Sequence, residues 1–208
     1  CQFLLQSCTM RIVRLTGKVK AVHEPFGTIL AYTYPAILPD GVIEAKLAEA
    51  LQKAVAAIGF QWGHFMADFI IKDGRIFMIE LSPRPGGDSI PDLVETATGQ
   101  NLLGLHLDFV SGQKVDWPVG DGRCYASFHF YASSEGRIDD IDASKLFQYP
   151  AVRKIVLRKK PGDKVVLPPR NYSSRLLGYC IAETPRGVDL LSEHHRLSNL
   201  LHLSYKIP

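Results

Sequence analysis

The sequence has few of the features that mark secreted proteins, membrane-spanning proteins or proteins stabilised by a structural metal. Its four cysteines, at positions 1, 8, 124 and 180, form no Cys-x-x-Cys pair, which argues against a zinc site. No apolar run reaches the roughly 18 residues that a transmembrane helix needs. No secretory signal precedes the cysteines, so we expect reduced thiols in a cytoplasmic protein.

The sequence also lacks a large excess of either positive or negative charge. Lys and Arg number 24 against 21 Asp and Glu, which gives a formal net charge of +3. The basic run at 158–160 is short and is interpreted as a solvated strand end or turn. Neither nucleic acid nor a membrane is therefore an expected partner.

What remains is the composition of an ordinary globular protein. Hydrophobic residues make up 46% and charged residues 22% of 208 residues, enough to bury a core and unlike a disordered chain. The chain begins with Cys and enters a strand-like pattern at once, so we interpret it as a fragment or a processed chain.

Apolar periodicity and turn residues predict an α+β fold in which an antiparallel sheet is flanked by helices. A Gly-, Asp- and Pro-rich segment at 111–121 predicts a boundary between a first part, 1–112, and a smaller α+β tail, 113–208. A tight turn at 16–18 is expected to join the first two strands. The predicted strands are 9–15, 19–23, 28–34, 63–72, 75–82, 123–131, 153–158 and 175–182, and the predicted helices are 43–58, 90–98, 102–110 and 186–200.

Two strands in the middle of the chain each carry an acid among apolar residues. In the first, Asp68 lies out of phase with the apolar residues, and in the second Glu80 and Ser82 do so. Two carboxylates on rigid neighbouring strands are hard oxygen ligands at fixed spacing, as Mg²⁺ requires. Two acids on a solvated sheet face are the plainer interpretation. His64 is assigned to the other phase and is interpreted as structural.

Whether the two acids meet depends on the turn between the strands. A two-residue loop at 73–74 would set Asp68 opposite Ile79 and put Asp68 and Glu80 on opposite faces. A three-residue loop at 72–74, ending in a left-handed glycine, would put both acids on one face and both apolar phases on the other. We predict the three-residue loop.

The segment that follows the second strand favours an anion site. Arg84 is a permanent cation two residues past Ser82 and can hold a phosphate or carboxylate in a bidentate manner. Gly86 and Gly87 allow close approach of the backbone to a ligand, and the predicted helix beyond them offers free N–H groups at its N-terminus. Metal ligands, a fixed cation and an anion-binding turn together indicate phosphate-transfer chemistry, whereas a tight turn with a helix cap is the simpler alternative.

These motifs resemble the ATP-grasp superfamily, and within it the amino-acid ligases and the carbamoyl phosphate synthetase-like proteins. The resemblance is close over residues 60–112 and looser in the tail. The motifs that carry it are Gly63-His64-Phe65-Met66-Ala67-Asp68, Asp73-Gly74, Ile79-Glu80-Leu81-Ser82-Pro83-Arg84-Pro85-Gly86-Gly87-Asp88 and Leu93-Val94-Glu95-Thr96-Ala97-Thr98-Gly99.

The resemblance implies a role for each residue of the motif. Asp68, Glu80 and Ser82 would be ligands of Mg²⁺ or Mn²⁺, and Arg84 would stabilise the phosphoryl group of ATP or an acyl phosphate. Gly86, Gly87 and Asp88 would line the substrate site. Ile70 and Met78, assigned to the acids' face, are candidates for the floor of the adenine pocket, with ordinary sheet packing as the alternative.

The implied function is ATP- and Mg²⁺-dependent ligation of a small-molecule carboxylate to an amine through an acyl phosphate. Two departures weaken the match: the family's Asn is Ser82 here, and neither the lid with its phosphate-binding Lys nor the N-terminal domain is visible, so these would be supplied in cis or by a partner chain. A non-catalytic nucleotide- or metal-binding module is therefore kept as an alternative, and an unrelated metal-dependent phosphohydrolase as a third. A homodimer is left open.

Overall fold

The computed structural model describes residues 1–6, 9–22, 25, 27–117 and 120–206. They form twelve strands and five helices. The strands are β1 Gln2–Gln6, β2 Thr9–Arg14, β3 Gly17–Lys20, β4 Ile29–Tyr34, β5 Gly63–Lys72, β6 Arg75–Ser82, β7 Tyr125–Tyr131, β8 Gly136–Asp142, β9 Val152–Leu157, β10 Lys164–Val165, β11 Leu176–Glu183 and β12 His202–Tyr205. The helices are α1 Glu44–Ala57, α2 Ile90–Thr98, α3 Leu102–Val110, α4 Ser144–Phe147 and α5 Leu190–Ser198.

The chain divides into two compact units. The first contains the described residues of Cys1–Gly17 and Tyr34–Asp121, and the second contains those of Lys18–Thr33 and Gly122–Pro208. The sequence-based division at residue 112 differs from this for 113–121, whose described residues belong to the first unit, and for 18–33, because β4 pairs with β7 of the second unit. Among the described residues, no helix combines the length and the apolar character that crossing a bilayer requires.

The first unit is a four-stranded antiparallel sheet in the order β2-β1-β5-β6. One face packs on α1, whose Leu47, Leu51 and Val55 are almost fully buried, together with Phe3 and Phe65 from β1 and β5. Because side chains alternate along a strand, the residues between these point to the other face. On β5 that other face carries His64, Met66 and Asp68.

Helix ends in this unit follow the sequence signals. Gly59, just past α1, is left-handed at φ 78°, and Gly99 closes α2 at φ 71°. Both helices therefore end where the glycines in the sequence predicted their ends. Asn101 caps α3, since its Oδ1 accepts a 2.7 Å hydrogen bond from the Gly104 N–H. Ser89 occupies the cap position of α2, but its side chain makes no capping hydrogen bond.

The second unit contains a five-stranded sheet, β3-β4-β7-β11-β9, and a three-stranded sheet, β10-β8-β12. Its core holds alternate residues of β7 with residues of β8, α4 and α5, among them Phe128, Phe130, Ile138, Leu146 and Leu197. α5 begins at Leu190, later than predicted, because the Asp189 side chain accepts a 3.1 Å hydrogen bond from the Leu191 N–H.

The predicted hairpin of the first two strands is wrong. β2 pairs with β1, whereas β3 pairs with β4 in the other sheet. The segment at 16–18 therefore leaves one unit and enters the other. The predicted strand 19–23 ends at Lys20, and its last position, His23, lies outside the described residues.

Candidate functional site

The two acids meet on one face of the first sheet, by a route that differs from the predicted one. The loop between β5 and β6 has two residues, Asp73 and Gly74, both left-handed at φ 51° and 68°, with Lys72 paired to Arg75. The three-residue loop was therefore a wrong prediction. A bulge between Asp68 and Phe69 then restores the alignment, and Asp68 lies opposite Glu80.

The extra residue of the bulge is Ile79. Asp68 pairs with Glu80 and the next residue, Phe69, pairs with Met78, so Ile79 has no partner on β5. Its side chain is 65% exposed. A bulge shifts the alternation of one strand by one residue relative to its neighbour. The two-residue loop alone would put Asp68 and Glu80 on opposite faces, and this shift puts them on the same face.

The same bulge corrects one predicted site residue. Met78 packs with Phe69 against the α1 core, not on the acids' face. Phe77 takes its place there, paired with Ile70, and both are half-exposed at 43% and 46%. Ile70 therefore keeps its predicted face and Met78 does not.

The Glu80 carboxylate interacts with two residues that follow it in the chain, Ser82 and Arg84. The Ser82 hydroxyl donates a 2.7 Å hydrogen bond to Glu80 Oε1, and Arg84 Nη2 lies 3.9 Å from the same oxygen. Arg84 also donates to the Pro85 carbonyl at 3.0 Å. About half of each charged side chain, 49% of Glu80 and 54% of Arg84, is exposed.

These donors suit a metal that is shared with a ligand. Asp68, Glu80 and Ser82 offer carboxylate and hydroxyl oxygens, the donor type that Mg²⁺ and Mn²⁺ prefer. Within the described ranges no group of three or more His, Cys, Asp or Glu could hold a metal ion alone. Mg²⁺ bound by one or two carboxylates plus phosphate oxygens and water fits this set better than a metal enclosed by protein.

The segment from Arg84 to α2 brings backbone close to the sheet. A Cβ at Gly86 would lie only 2.9 Å from Gln2 Nε2, and a Cβ at Gly87 would lie 3.9 Å from Arg84 Nη1. Asp88 is left-handed at φ 59°, which is uncommon for a residue with a side chain. α2 starts two residues later, so its positive N-terminal end follows directly on the glycines.

Solved structures share this fold over nearly the whole chain. An L-amino acid ligase from Bacillus licheniformis superposes with a TM-score of 0.78 and 21% identity, covering 99% of this chain and 51% of that one. A phosphoribosylglycinamide synthetase from Anaerococcus prevotii gives a TM-score of 0.76 and 18% identity, covering 99% and 52%. The chain has the fold of about half of an ATP-grasp ligase. The predicted α+β class and the ATP-grasp resemblance are thereby confirmed.

Further comparisons extend the likeness without naming a substrate. A biotin carboxylase from Campylobacter jejuni, solved with β,γ-ATP, gives a TM-score of 0.64 at 17% identity, covering 98% of this chain and 45% of that one. The uncharacterized protein y4rH of Sinorhizobium fredii is 29% identical over 156 residues, which cover 74% of this chain and 32% of that protein. No family model matches. The chain spans about half the length of the solved ATP-grasp structures it matches and a third of y4rH.

The ATP-grasp sheet also carries polar residues that sequence reasoning missed. Arg14 and Gln2 pair across β2 and β1, and Gln2 pairs with Met66 on the acids' face of β5. His64 lies on that face too, four residues before Asp68, so its assignment to the other phase was wrong. Counting the alternation from Asp68 would have found His64, but nothing in the sequence placed Gln2 or Arg14 beside it.

Burial sets the protonation state of His64 and of the neighbouring His106. Burial, then the neighbouring His106 and then Arg14, lower the pKa of His64 to about 4. Burial also lowers the pKa of His106, whose ring centroid lies 5.2 Å from that of His64. Both imidazoles are therefore neutral at neutral pH.

Proposed function

We propose that this chain is the metal- and phosphate-binding part of an ATP-dependent ligase that joins a carboxylate to an amine. The observation that carries the proposal is the pairing of Asp68 with Glu80, followed within a few residues by Arg84 and the start of α2, in an ATP-grasp fold. Hard oxygen ligands, a fixed cation and a helix N-terminus are the groups that phosphoryl transfer requires.

Each predicted residue keeps a role in this proposal except Met78. Asp68, Glu80 and Ser82 would hold Mg²⁺ or Mn²⁺, which when bound neutralises charge on the phosphates of ATP. Arg84, half-exposed beside Glu80, would bind the phosphoryl group being transferred. Ile70 would contact the adenine ring, with Phe77 in place of Met78.

The reaction is a transfer in two steps. The terminal phosphoryl group of ATP moves to an oxygen of the substrate carboxylate, and ADP leaves. The nitrogen of the amine then attacks the acyl carbon, phosphate leaves, and the nitrogen loses a proton, which gives an amide. This chemistry needs no protein nucleophile, because positioning, charge neutralisation and exclusion of water supply the acceleration.

The glycine segment would position the acyl group. Gly86 and Gly87 have no side chains, so the backbone between Arg84 and α2 can approach the substrate. Asp88, held left-handed at the end of this segment, would project its carboxylate at the same place. The solved structures with this fold are named as a ligase, a synthetase and a carboxylase, which supports small-molecule carboxylate and amine substrates.

The test is ADP release by the full-length protein with Mg²⁺ and panels of carboxylates and amines. Glu80→Gln removes the proposed metal ligand, and Glu49→Gln is the matched control, because Glu49 is an exposed acid on α1 paired with Lys53 at 2.6 Å. We expect release that needs both a carboxylate and an amine, that falls at least about 100-fold in Glu80→Gln, and that is unchanged in the control. Release indifferent to Glu80, or no release across a broad panel, would favour the non-catalytic binding module.

A further inference from the structure

A buried arginine on the acids' face of the first sheet has no acidic partner among the residues that the structure describes. Arg14 is 2% exposed. Its Nη1 donates to the Tyr34 hydroxyl at 3.3 Å, and the guanidinium lies 5.8 Å from the centre of that ring. Its Nε and Nη2 have no hydrogen-bond partner among the described residues. The charge is thus buried with a neutral hydrogen bond at Nη1 and with two nitrogens, Nε and Nη2, that have no partner among the described residues.

Three neighbours also carry buried polar atoms without a partner in the described part of the chain. Gln2, opposite Arg14, places its Oε1 3.3 Å from His64 Nε2, but its own Nε2 has no partner among the described residues. Nδ1 of His64 and Nδ1 of His106 are likewise buried without a partner in the described part of the chain. We call Gln2, Arg14, His64 and His106 the Arg14 cluster.

The cluster holds one buried positive charge, that of Arg14, and donors without a described partner at Arg14 Nε, Arg14 Nη2 and Gln2 Nε2. An unpaired buried charge destabilises the folded chain unless a counter-charge and hydrogen bonds compensate. Water could accept some of these hydrogen bonds, but it would not neutralise the guanidinium. A bound anion does both, and a planar carboxylate matches the two adjacent free N–H groups of Arg14.

The cluster adjoins the proposed catalytic residues. Gln2 pairs with Met66, and Met66 pairs with Ser82, so one row of the sheet runs from Arg14 to the proposed metal site. Neighbouring strands are about 4.8 Å apart, which puts the backbone of Arg14 about 14 Å from that of Ser82. Gln2 also lies close to Gly86, which is proposed to line the substrate site. A Cβ at Gly86 would lie 2.9 Å from Gln2 Nε2.

A cavity lies beside the cluster. It measures about 320 Å³ and is lined in part by Leu4, Phe109 and Trp117. The ring of Trp117 lies 5.1 Å from that of His64, centroid to centroid, and the ring of Phe109 lies 6.4 Å from it.

We propose that the Arg14 cluster binds a second carboxylate group of the acid substrate. This rests on the proposed ligase function, in which the first carboxylate is phosphorylated beside Asp68, Glu80 and Arg84. Because the cluster and the proposed metal site share one face of the sheet, the acid would carry two carboxylate groups, one bound at each. The substrate class is then a dicarboxylic acid or an acidic amino acid rather than a simple fatty acid.

The experiment measures binding without ATP, so that it does not depend on turnover. Glutarate is titrated into the full-length protein by calorimetry, with glutaramide as the uncharged analogue and inorganic phosphate as a different anion. Arg14→Gln removes the buried charge, and Arg186→Gln removes an exposed guanidinium of the other unit as the matched control. We expect glutarate to bind, glutaramide to bind at least tenfold more weakly, and Arg14→Gln to lose at least tenfold in affinity while the control stays within twofold.

Stability separates this role from a structural one. If Arg14 serves a ligand, the ligand-free Arg14→Gln protein should melt at the same temperature as wild type or higher, because a buried unpaired charge has been removed. A fall in melting temperature, equal glutarate binding by Arg14→Gln and wild type, no glutarate binding by wild type, or a preference for phosphate would each overturn the proposal. Glutarate binding without ADP release would leave this site standing and remove the ligase.

Discussion

Asp68 lies directly opposite Glu80 although the hairpin that joins their strands has an even-numbered loop. A two-residue loop alone would place these two acids on opposite faces of the sheet. The bulge at Ile79 cancels that effect, so the hairpin carries two features that only together align the carboxylates. Bulges recur next to active sites because they re-aim side chains in this way.

Removing and adding residues at this bulge should have opposite consequences. Deletion of Ile79 makes the ladder continuous and leaves Asp68 opposite Glu80, so we expect Mn²⁺ binding to persist within about tenfold of wild type. Insertion of one alanine after Ile79 moves Glu80 out of alignment, and we expect Mn²⁺ binding to be lost. Titration of Mn²⁺ followed by electron paramagnetic resonance measures both.

The insertion variant needs evidence that it is folded. Both tryptophans, Trp62 and Trp117, belong to the first unit, so native tryptophan fluorescence provides that check. If the deletion abolished Mn²⁺ binding while the insertion kept it, the alignment of the two acids by the bulge would be refuted as the basis of the metal site.

Ser82 should control how well Glu80 serves as a ligand. Its hydroxyl holds Glu80 Oε1 at 2.7 Å, and loss of a group that orients a ligand costs about tenfold in metal affinity. We therefore expect Ser82→Ala to weaken Mn²⁺ binding about tenfold. Ser82→Asn, which restores the residue of the ATP-grasp pattern, should match or exceed wild type. Equal affinities for all three proteins would show that position 82 is not part of the metal site.

The sequence predicted the acids' side of the sheet from alternation and turn chemistry. Asp68 and Glu80 could be assigned to one face because the apolar residues of each strand require burial, and burial decided the register. The same reasoning chose the wrong loop, since it assumed that strands stay regular between the turn and the acids. Because a bulge is a local irregularity with no fixed residue type here, Met78 was assigned to the wrong face.

The Arg14 cluster could not be predicted for a different reason. It depends on β1 inserting between β2 and β5, which brings together residues far apart in the chain. A sequence pattern shows that Arg14 interrupts an apolar strand, but not that α1 lies on the opposite face or that a histidine from another strand lies nearby. Long-range strand order of this kind leaves no local signal.

Replacement of Asp88 should destabilise the fold through backbone strain, apart from its effect on the proposed substrate site. Its φ of 59° is tolerated by Asp and Asn and disfavoured for Ala by about 1 kcal/mol. We expect Asp88→Ala to lower the free energy of unfolding by about that amount and Asp88→Asn to leave it unchanged. Urea unfolding followed by tryptophan fluorescence measures both, and equal destabilisation by the two changes would contradict the backbone explanation.

Acid should destabilise the first unit through His64. The pKa of this imidazole is about 4 in the folded chain, against an ordinary value of about 6.5 in the unfolded chain. Between these values the unfolded chain binds more protons, so stability falls as the pH drops through 6.5 and the loss is complete below about 4. At about 1.4 kcal/mol per pKa unit, the loss is on the order of 3 kcal/mol.

Matched histidine variants isolate this effect in urea unfolding curves at pH 7.5 and pH 4.5. His64→Gln should remove most of the difference in stability between the two pH values. His106→Gln should remove a smaller part, because burial lowers the pKa of that imidazole in the same direction. His202→Gln, on an exposed position of the other unit, should leave the difference unchanged. A difference that survives in His64→Gln would mean that other groups carry the acid sensitivity of the first unit.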